Sequence, residues 1–580
     1  MRGRGTRLAV AALLLAVPVL AASPPGAAAH GGQYRSPAAP PEEGGAPGGR
    51  GAGVSPEDWT DWWWANRDRY VELARRLRRK RIEEARTAAS GGGLGVSGES
   101  DSPAPAPESR VDAASDPALV LDAVVLPALL AALQDPDGEV RSAAAVALGK
   151  TGSARAHPSL RRALRDSHPD VRDGALLSLG MLRDDFALDE FGAMLFDPAV
   201  RERTRGFAAL AAGICGGDPA AEMLLRFLAP ASDALRVGGL ARSADLEACA
   251  VLGLGFAGSR AAVDPLRKIL AGGNQQPSVR ASACTALARL GDRDSIPMLL
   301  RALSHRESPL RQTSALALGV LATADDAEVV AALVQRLSED RDGAARQFCI
   351  ASLGRIGGPA AIAALRRVHV DGDVSERPYA ALALACAGDR ASAPPMRALL
   401  RAPGNPWHRG AAAVALGILA DTDSLPEIRA VAFGKSDPSL RLYAFTGLAL
   451  QADEASAPAL RRALEEEVEP RMRLAAAVAL GILQDPVVRP ALERLAEKGD
   501  SPAVRAHAAY FLGVAGGTGA APTLTRLLAD RTQPVLVRTF AAAGLGVLAD
   551  RSPLPVLSSL GADGNFRLAV DPMMEVATFL

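Results

Sequence analysis

From residue 116 onward, small apolar residues return at helical spacing. Counted from an Arg that follows Val, Leu or a similar residue, positions three, six, seven and ten are almost always Ala, Leu or another small apolar side chain. Ala144, Ala147 and Leu148 are one instance, and Ala476, Ala479, Leu480 and Leu483 another. That spacing is one face of a helix. The Arg itself recurs at Arg141, Arg172, Arg205, Arg280, Arg311, Arg346, Arg377, Arg409, Arg441, Arg473, Arg505 and Arg538, with Glu247 in the fourth place. Successive members of this column of thirteen mostly lie 31 to 35 residues apart, with one gap of 42 between Arg205 and Glu247. A fixed period of this length marks a solenoid whose unit is a single supersecondary element.

Eight residues beyond the anchor, Gly recurs in ten of the thirteen units. Gly costs about 1 kcal/mol relative to Ala inside a helix, so a packing reason is expected: helices that approach closely and let the array curve. A second apolar helix is predicted before each anchor helix, as in residues 124–133 and 457–464. Asp-Pro or Ser-Pro turns such as Asp135-Pro136, Asp197-Pro198 and Asp437-Pro438 separate the two. The expected fold is all-α: an α-solenoid, or superhelix, of about thirteen two-helix units over residues 116–560, with residues 561–580 as a C-terminal cap.

Two helices per roughly 32 residues, an Asp-Pro turn, a Val-Arg step and an Ala-Leu-Gly run resemble the short HEAT-like repeats also found in phycobilisome lyases. The resemblance covers the array. It implies that the twelve Arg anchors are structural, forming a ladder of polar contacts between stacked units, and that Glu247 interrupts the ladder at the fourth unit. The whole chain is also similar to secreted bacterial HEAT-repeat proteins, a likeness that supplies no biochemical role.

The composition agrees with helices. Of 580 residues 48% are hydrophobic but only 4% aromatic, and 65 basic side chains cancel 65 acidic ones, which removes the simplest electrostatic case for nucleic-acid binding. At the start, Arg2, Arg4 and Arg7 precede an apolar run from Leu8 to Leu20, followed by small residues to Ala29. Residues 1–29 read as a secretory signal peptide cleaved after Ala29, with no Cys placed for a lipid anchor and no later run long enough to span a bilayer. The expected location is exported: periplasm, cell envelope or extracellular.

Residues 30–57 form a Pro/Gly-rich linker and 88–115 a second flexible one, so the array is expected to follow a disordered N-terminal region. Between them, residues 58–87 form a short Trp-rich helical segment. It carries Trp59, Trp62, Trp63 and Trp64, four of the chain's five tryptophans, then Tyr70, and nine basic against four acidic residues from Arg67 to Arg86, or +5. Residues 1–64 balance, so the remainder carries −5. The segment has two readings: a cap on the first repeat, since terminal repeats need a cover, or a tethered element that binds a partner or an anionic surface through Trp and Arg.

The search for chemistry yields little. Gly253, Gly255 and Gly258 have dinucleotide-loop spacing but lie inside a repeat helix and follow no strand. The seven His are scattered without the His-Glu pairs that HEAT-repeat iron hydroxylases use, so no metal and no other cofactor is expected, and no small-molecule substrate. The five Cys read as small buried residues, although Cys249 and Cys284 in adjacent units are placed to meet as a disulfide in an oxidising compartment. Aromatics two residues after the anchor, among them Phe207, Tyr379, Tyr443 and Phe540, are expected to pack on the partner helix. Position one, with Gln312, Gln347, Leu442 and Leu474, is expected on an exposed groove that accepts a peptide or helix, and Arg236 and Arg242 sit in an inserted loop of the kind that binds. The functional expectation is an exported, non-catalytic protein-interaction scaffold, not an enzyme. The alternatives are a bilin lyase-like or other enzyme on the same scaffold and envelope-surface binding by the basic helix.

Overall fold

Each repeat begins with an outer helix that is apolar on one side only, and turns sharply into an anchor helix that is small and apolar on nearly every side. The turn is set by Asp, Ser or Asn carrying Pro behind it. Asp437 accepts from the Ser439 amide and Asn405 from Trp407, while Pro438 and Pro406 occupy the first helical position, where no amide hydrogen is needed. In a computed structural model, the described residues are 117–550, apart from 230–241, 274 and 484. They form 26 helices in thirteen outer-and-anchor pairs, with no strand among them. The first anchor helix is Gly138–Lys150 and the last Val535–Ala549.

The end of an anchor helix is also encoded. Eleven residues after the anchor the chain enters the left-handed region, at Gly291 and Gly388 where glycine makes that free, and at Arg183, Ala420 and Ala452 where it does not. One residue later stands a buried or partly buried Asp. Asp184 accepts from Arg161 at 2.9 Å, Asp292 from Arg267 at 2.9 Å, Asp389 from Arg366 at 2.8 Å, Asp453 from Arg429 at 2.8 Å and Asp485 from Arg461 at 3.1 Å. Each Arg stands on the outer helix of the same repeat, so this pair clamps the two ends of one unit together.

Between units the anchor Arg does the joining. It donates to carbonyls at the end of its own outer helix, as Arg280 does to Leu270 at 3.0 Å and Arg409 to Leu400 at 2.7 Å, covering acceptors that the helix leaves open. Several also reach a carboxylate in the turn of the next repeat: Arg141 to Asp166 at 2.8 Å, Arg311 to Asp340 at 2.7 Å, Arg473 to Asp500 at 3.2 Å. The expected interruption at Glu247 is corrected. Arg242, five residues earlier, donates to the carbonyls of Phe227 and Ala229 and pairs with Glu247 at 3.3 Å, doing there what the anchor does elsewhere.

The glycine column explains the curvature. A Cβ on Gly180 would stand 2.6 Å from the Ala211 carbonyl oxygen, on Gly255 2.7 Å from Ala286 Cα, and on Gly417 2.9 Å from the Gly447 oxygen. In each case position eight of one repeat abuts position six of the next, and only a missing side chain permits that approach. Consecutive anchor helices pack along their lengths, whereas consecutive outer helices touch only in places. Anchor helices therefore lie on the inner, shorter arc.

The arc closes. The last anchor helix packs against the first, and the last outer helix, Ala521–Ala529, against the first. The contact repeats both interior rules: Gly546, at position eight of the thirteenth repeat, would place a Cβ 2.8 Å from Ala147 at position six of the first, and Arg538 pairs with Asp135 in the first repeat's turn. Arg538 and Asp135 are both buried. The array is thus a ring of thirteen units joined by thirteen equivalent interfaces. The two ends that a cap would cover are covered by each other, so the reason for a capping role of residues 58–87 or 561–580 disappears. Both segments lie outside the described residues.

The inner face of the ring as candidate functional site

An anchor helix in a closed ring has four sides. Positions one, four and eight meet the next repeat, two and six the preceding one, and the residue before the anchor with positions three and seven the outer helix. At 100° per residue, position five is what remains, flanked by position nine and the residue two before the anchor; it points to the ring interior. The thirteen residues at position five run from Val146 and Leu177 round to Tyr510 and Ala543. Eleven are aliphatic or Tyr, two are Thr (Thr285 and Thr446), and none is charged. Nine of the thirteen are buried, Leu177, Leu210, Leu382 and Val414 completely, so position five is open to solvent only at Leu316, Ala351, Tyr510 and Ala543, which are half-buried.

Several candidate residues have other places than expected. Gln312, Gln347, Leu442 and Leu474 at position one are buried, not exposed, because this position faces the next anchor helix. Gln312 donates to Asp342 of the following repeat at 2.7 Å. Three of the residues at position two, Tyr443, His507 and Phe540, pack against a neighbouring anchor helix. His507 and Phe540, both at position two, stack edge-on at 5.2 Å, and Trp407 meets Tyr443 at 6.2 Å. Arg242 is committed to the carbonyls and Glu247 described above. Arg236, Trp59, Trp62, Trp63, Trp64 and Tyr70 lie outside the described residues.

The titratable groups are structural in character. Cys249 and Cys284 are not joined as a disulfide, and neither are the other three cysteines; burial pushes the Cys284 thiol up to about 12, and the Cys249 thiol is also raised by burial. Asp135 is held below the usual carboxylate range: burial acts to raise it, and the hydrogen bond from Arg538, with its charge, more than offsets that. Among the described residues no group of three or more His, Cys, Asp or Glu lies together as a metal site would require, and no helix is long and apolar enough to cross a membrane.

One pair is sensitive to acid. His369 and His408 meet edge-on with ring centroids 5.5 Å apart, and burial, then His369 and Arg377, bring His408 down to about 3. His408 is neutral in the fold but binds a proton in the unfolded chain below about pH 6.5, so stability is complete above that pH and falls as pH drops toward 3. Between pH 7.5 and 4.5 the expected loss is about 2–3 kcal/mol from this residue. Urea midpoints at the two pH values check it, and His408→Gln should flatten the dependence over that window.

A ring of α-hairpins with Arg and Gly ladders between units defines a class: helical-repeat scaffolds whose inner surface is built by the second helix of each unit. The HEAT repeats family model matches residues 105–180, 126–211, 240–319, 310–385 and 425–512, and the chain belongs to that family. No curated protein matches it in sequence. Similar solved structures include human deoxyhypusine hydroxylase in complex with glycerol, at 23% identity over 48% of this chain and 99% of that one, with a TM-score of 0.22. A second is the Escherichia coli protein YibA, at 21% over 43% of this chain and 91% of that one, with a TM-score of 0.29. A third is the CpcE–CpcF complex of phycocyanin lyase from Nostoc, at 21% over 50% of this chain and 92% of that one, with a TM-score of 0.24. At such identities the likeness is one of fold. The expectation that the chain is not an enzyme is corrected: two of these three similar structures are named as enzymes.

Proposed function

We propose that this protein is an exported scaffold that binds other proteins on the inner face of its ring. The observation that carries the reading is the uncharged belt at position five. Four of its members, Leu316, Ala351, Tyr510 and Ala543, are open to solvent, and accessible apolar side chains on the inner face of a repeat array are suited to docking another protein. The support for export is the pattern of Arg2, Arg4 and Arg7 before the apolar run and the small residues ending at Ala29.

The test uses the half-buried inner residues, whose replacement leaves the packed interfaces alone. The full chain and its Ala351→Glu/Ala543→Glu variant are compared in capture from the native envelope fraction, with thermal unfolding as the check on folding. A protein retained by the first and lost from the equally folded second supports the inner face. Equal retention by both contradicts it. Export is tested by the N-terminal residue of the native protein, expected to be His30; an intact Met1 on protein confined to the cytoplasm would contradict it.

A further inference from the structure

We infer that the ring opens at the joint between its eleventh and twelfth repeats, and not at the seam where its two ends meet. The sign is at position six, the residue that meets position eight of the preceding repeat. Twelve of the thirteen repeats carry Gly, Ala or Ser there, and the twelfth repeat carries Phe511. Phe511 is completely buried. Opposite Gly481, at position eight of the eleventh repeat, a phenyl ring thus stands where the other joints have a hydrogen, a methyl or a hydroxymethyl group. The distance between two packed helices follows the size of the side chains at their contact. The two anchor helices here, Pro470–Ile482 and Pro502–Ala515, accordingly meet over a shorter stretch than any other neighbouring pair of anchor helices.

The polar contacts across this joint are weak as well. Arg473 reaches Asp500 at 3.2 Å and Arg494 reaches Glu465 at 3.3 Å, and Asp500, Arg494 and Glu465 are all exposed. Exposed pairs of this kind hold little against water. The joints that follow differ on both counts. Between the twelfth and thirteenth repeats a Cβ on Gly544 would stand 2.7 Å from the Ala509 carbonyl oxygen, and at the seam Gly546 abuts Ala147 while Arg538 pairs with Asp135 out of water. Repeats twelve, thirteen and one therefore form a firmly joined block, even though no peptide bond crosses the seam inside it. Local opening is drawn from the contacts that hold least, and the chain still crosses the opening joint, so parting there is limited and reversible. Resting on the reading of the inner face as a protein-binding surface, this joint is the gate by which a partner that cannot thread a closed ring reaches the interior.

Thiol labelling of the full chain tests the gate. Position four of an anchor helix faces the next repeat, and Cys284 occupies it in the fifth repeat, where it meets the Thr313 side chain of the sixth. Cys284 is thus a built-in reference for an ordinary joint. Ala477→Cys places a thiol at position four of the eleventh repeat, and Ala542→Cys places one at position four of the thirteenth, facing the seam; both sites are buried. Labelling is followed under native conditions by mass spectrometry that resolves each cysteine, with rates taken relative to the same cysteine in the urea-unfolded chain. It is expected to be at least about tenfold faster at residue 477 than at residue 542 or Cys284. Leu474→Cys and Thr539→Cys, at position one of the same two repeats, repeat the comparison, and thermal unfolding identifies the variants that keep the fold. Equal rates at the three sites, or faster labelling at residue 542 than at residue 477, would overturn the inference. The measurement needs no partner, so its failure is distinct from a failure of the inner-face reading, which the envelope capture tests.

Discussion

Asp135→Ala should destabilise the protein by about 3–5 kcal/mol, because it strands the buried Arg538 guanidinium without its carboxylate. Among its described hydrogen bonds, the guanidinium would keep the one to the Leu528 carbonyl, at 3.0 Å. Arg538→Met should cost a similar amount by stranding Asp135. Replacing both residues together should recover a good part of the loss, since a pair removed whole leaves no buried charge. The comparison that gives the result its meaning is Arg473→Ala: its carboxylate partner, Asp500, is largely exposed, and such pairs contribute about 0–1 kcal/mol. Urea unfolding of the four variants measures the set. A closure pair that costs no more to break than the Arg473 rung would mean that the seam is open in solution.

The second large effect is a reversal of sign. Gly→Ala within a helix normally stabilises by about 1 kcal/mol. Gly213→Ala should instead destabilise by about 1–3 kcal/mol, because its Cβ would stand 2.5 Å from the Gly253 Cα and 2.7 Å from its carbonyl carbon. Backbone cannot rotate aside, so the two anchor helices must separate. Gly192→Ala is the control: it lies inside the outer helix Leu188–Phe196, and its Cβ meets only the Met223 sulfur at 3.0 Å, on a flexible side chain that can move. That variant should be neutral or more stable. Thermal unfolding of the pair, with opposite shifts expected, checks the claim that the column of glycines exists for helix approach.

The repeat unit was legible because everything that defines it is local. The anchor column, the position-eight glycines and the proline turns recur at one period, and each has a mechanism that operates within one or two units. The Asp twelve residues after the anchor was equally local. Asp184, Asp292, Asp389, Asp421, Asp453 and Asp485 share that register, and counting Asp against the anchor rather than against the turn would have revealed them. Closure was not legible: Arg538 and Asp135 are 403 residues apart and each fits its own repeat without the other. Whether thirteen units make a ring or an open superhelix depends on a small rotation at each interface, summed over the array, and no single residue carries that sum.

The inner face was misread for a related reason. Position one was assigned to solvent, and position two to the partner helix, as though an anchor helix had one covered side and one open side. With neighbours on both flanks it has four, which buries Gln312, Gln347, Leu442 and Leu474 and moves the interior-facing role to position five. Arg242 was taken for a loop residue because the insertion before it shifts the count, and only the contact with Glu247 shows that it serves the ladder.

Closure is the claim on which the inner face and the displaced cap both depend. Electron microscopy of the full-length protein tests it most directly. The expected result is particles whose face-on views show an unbroken closed outline, without a gap between first and last repeats. Arcs with two free ends, or elongated superhelices, would contradict it.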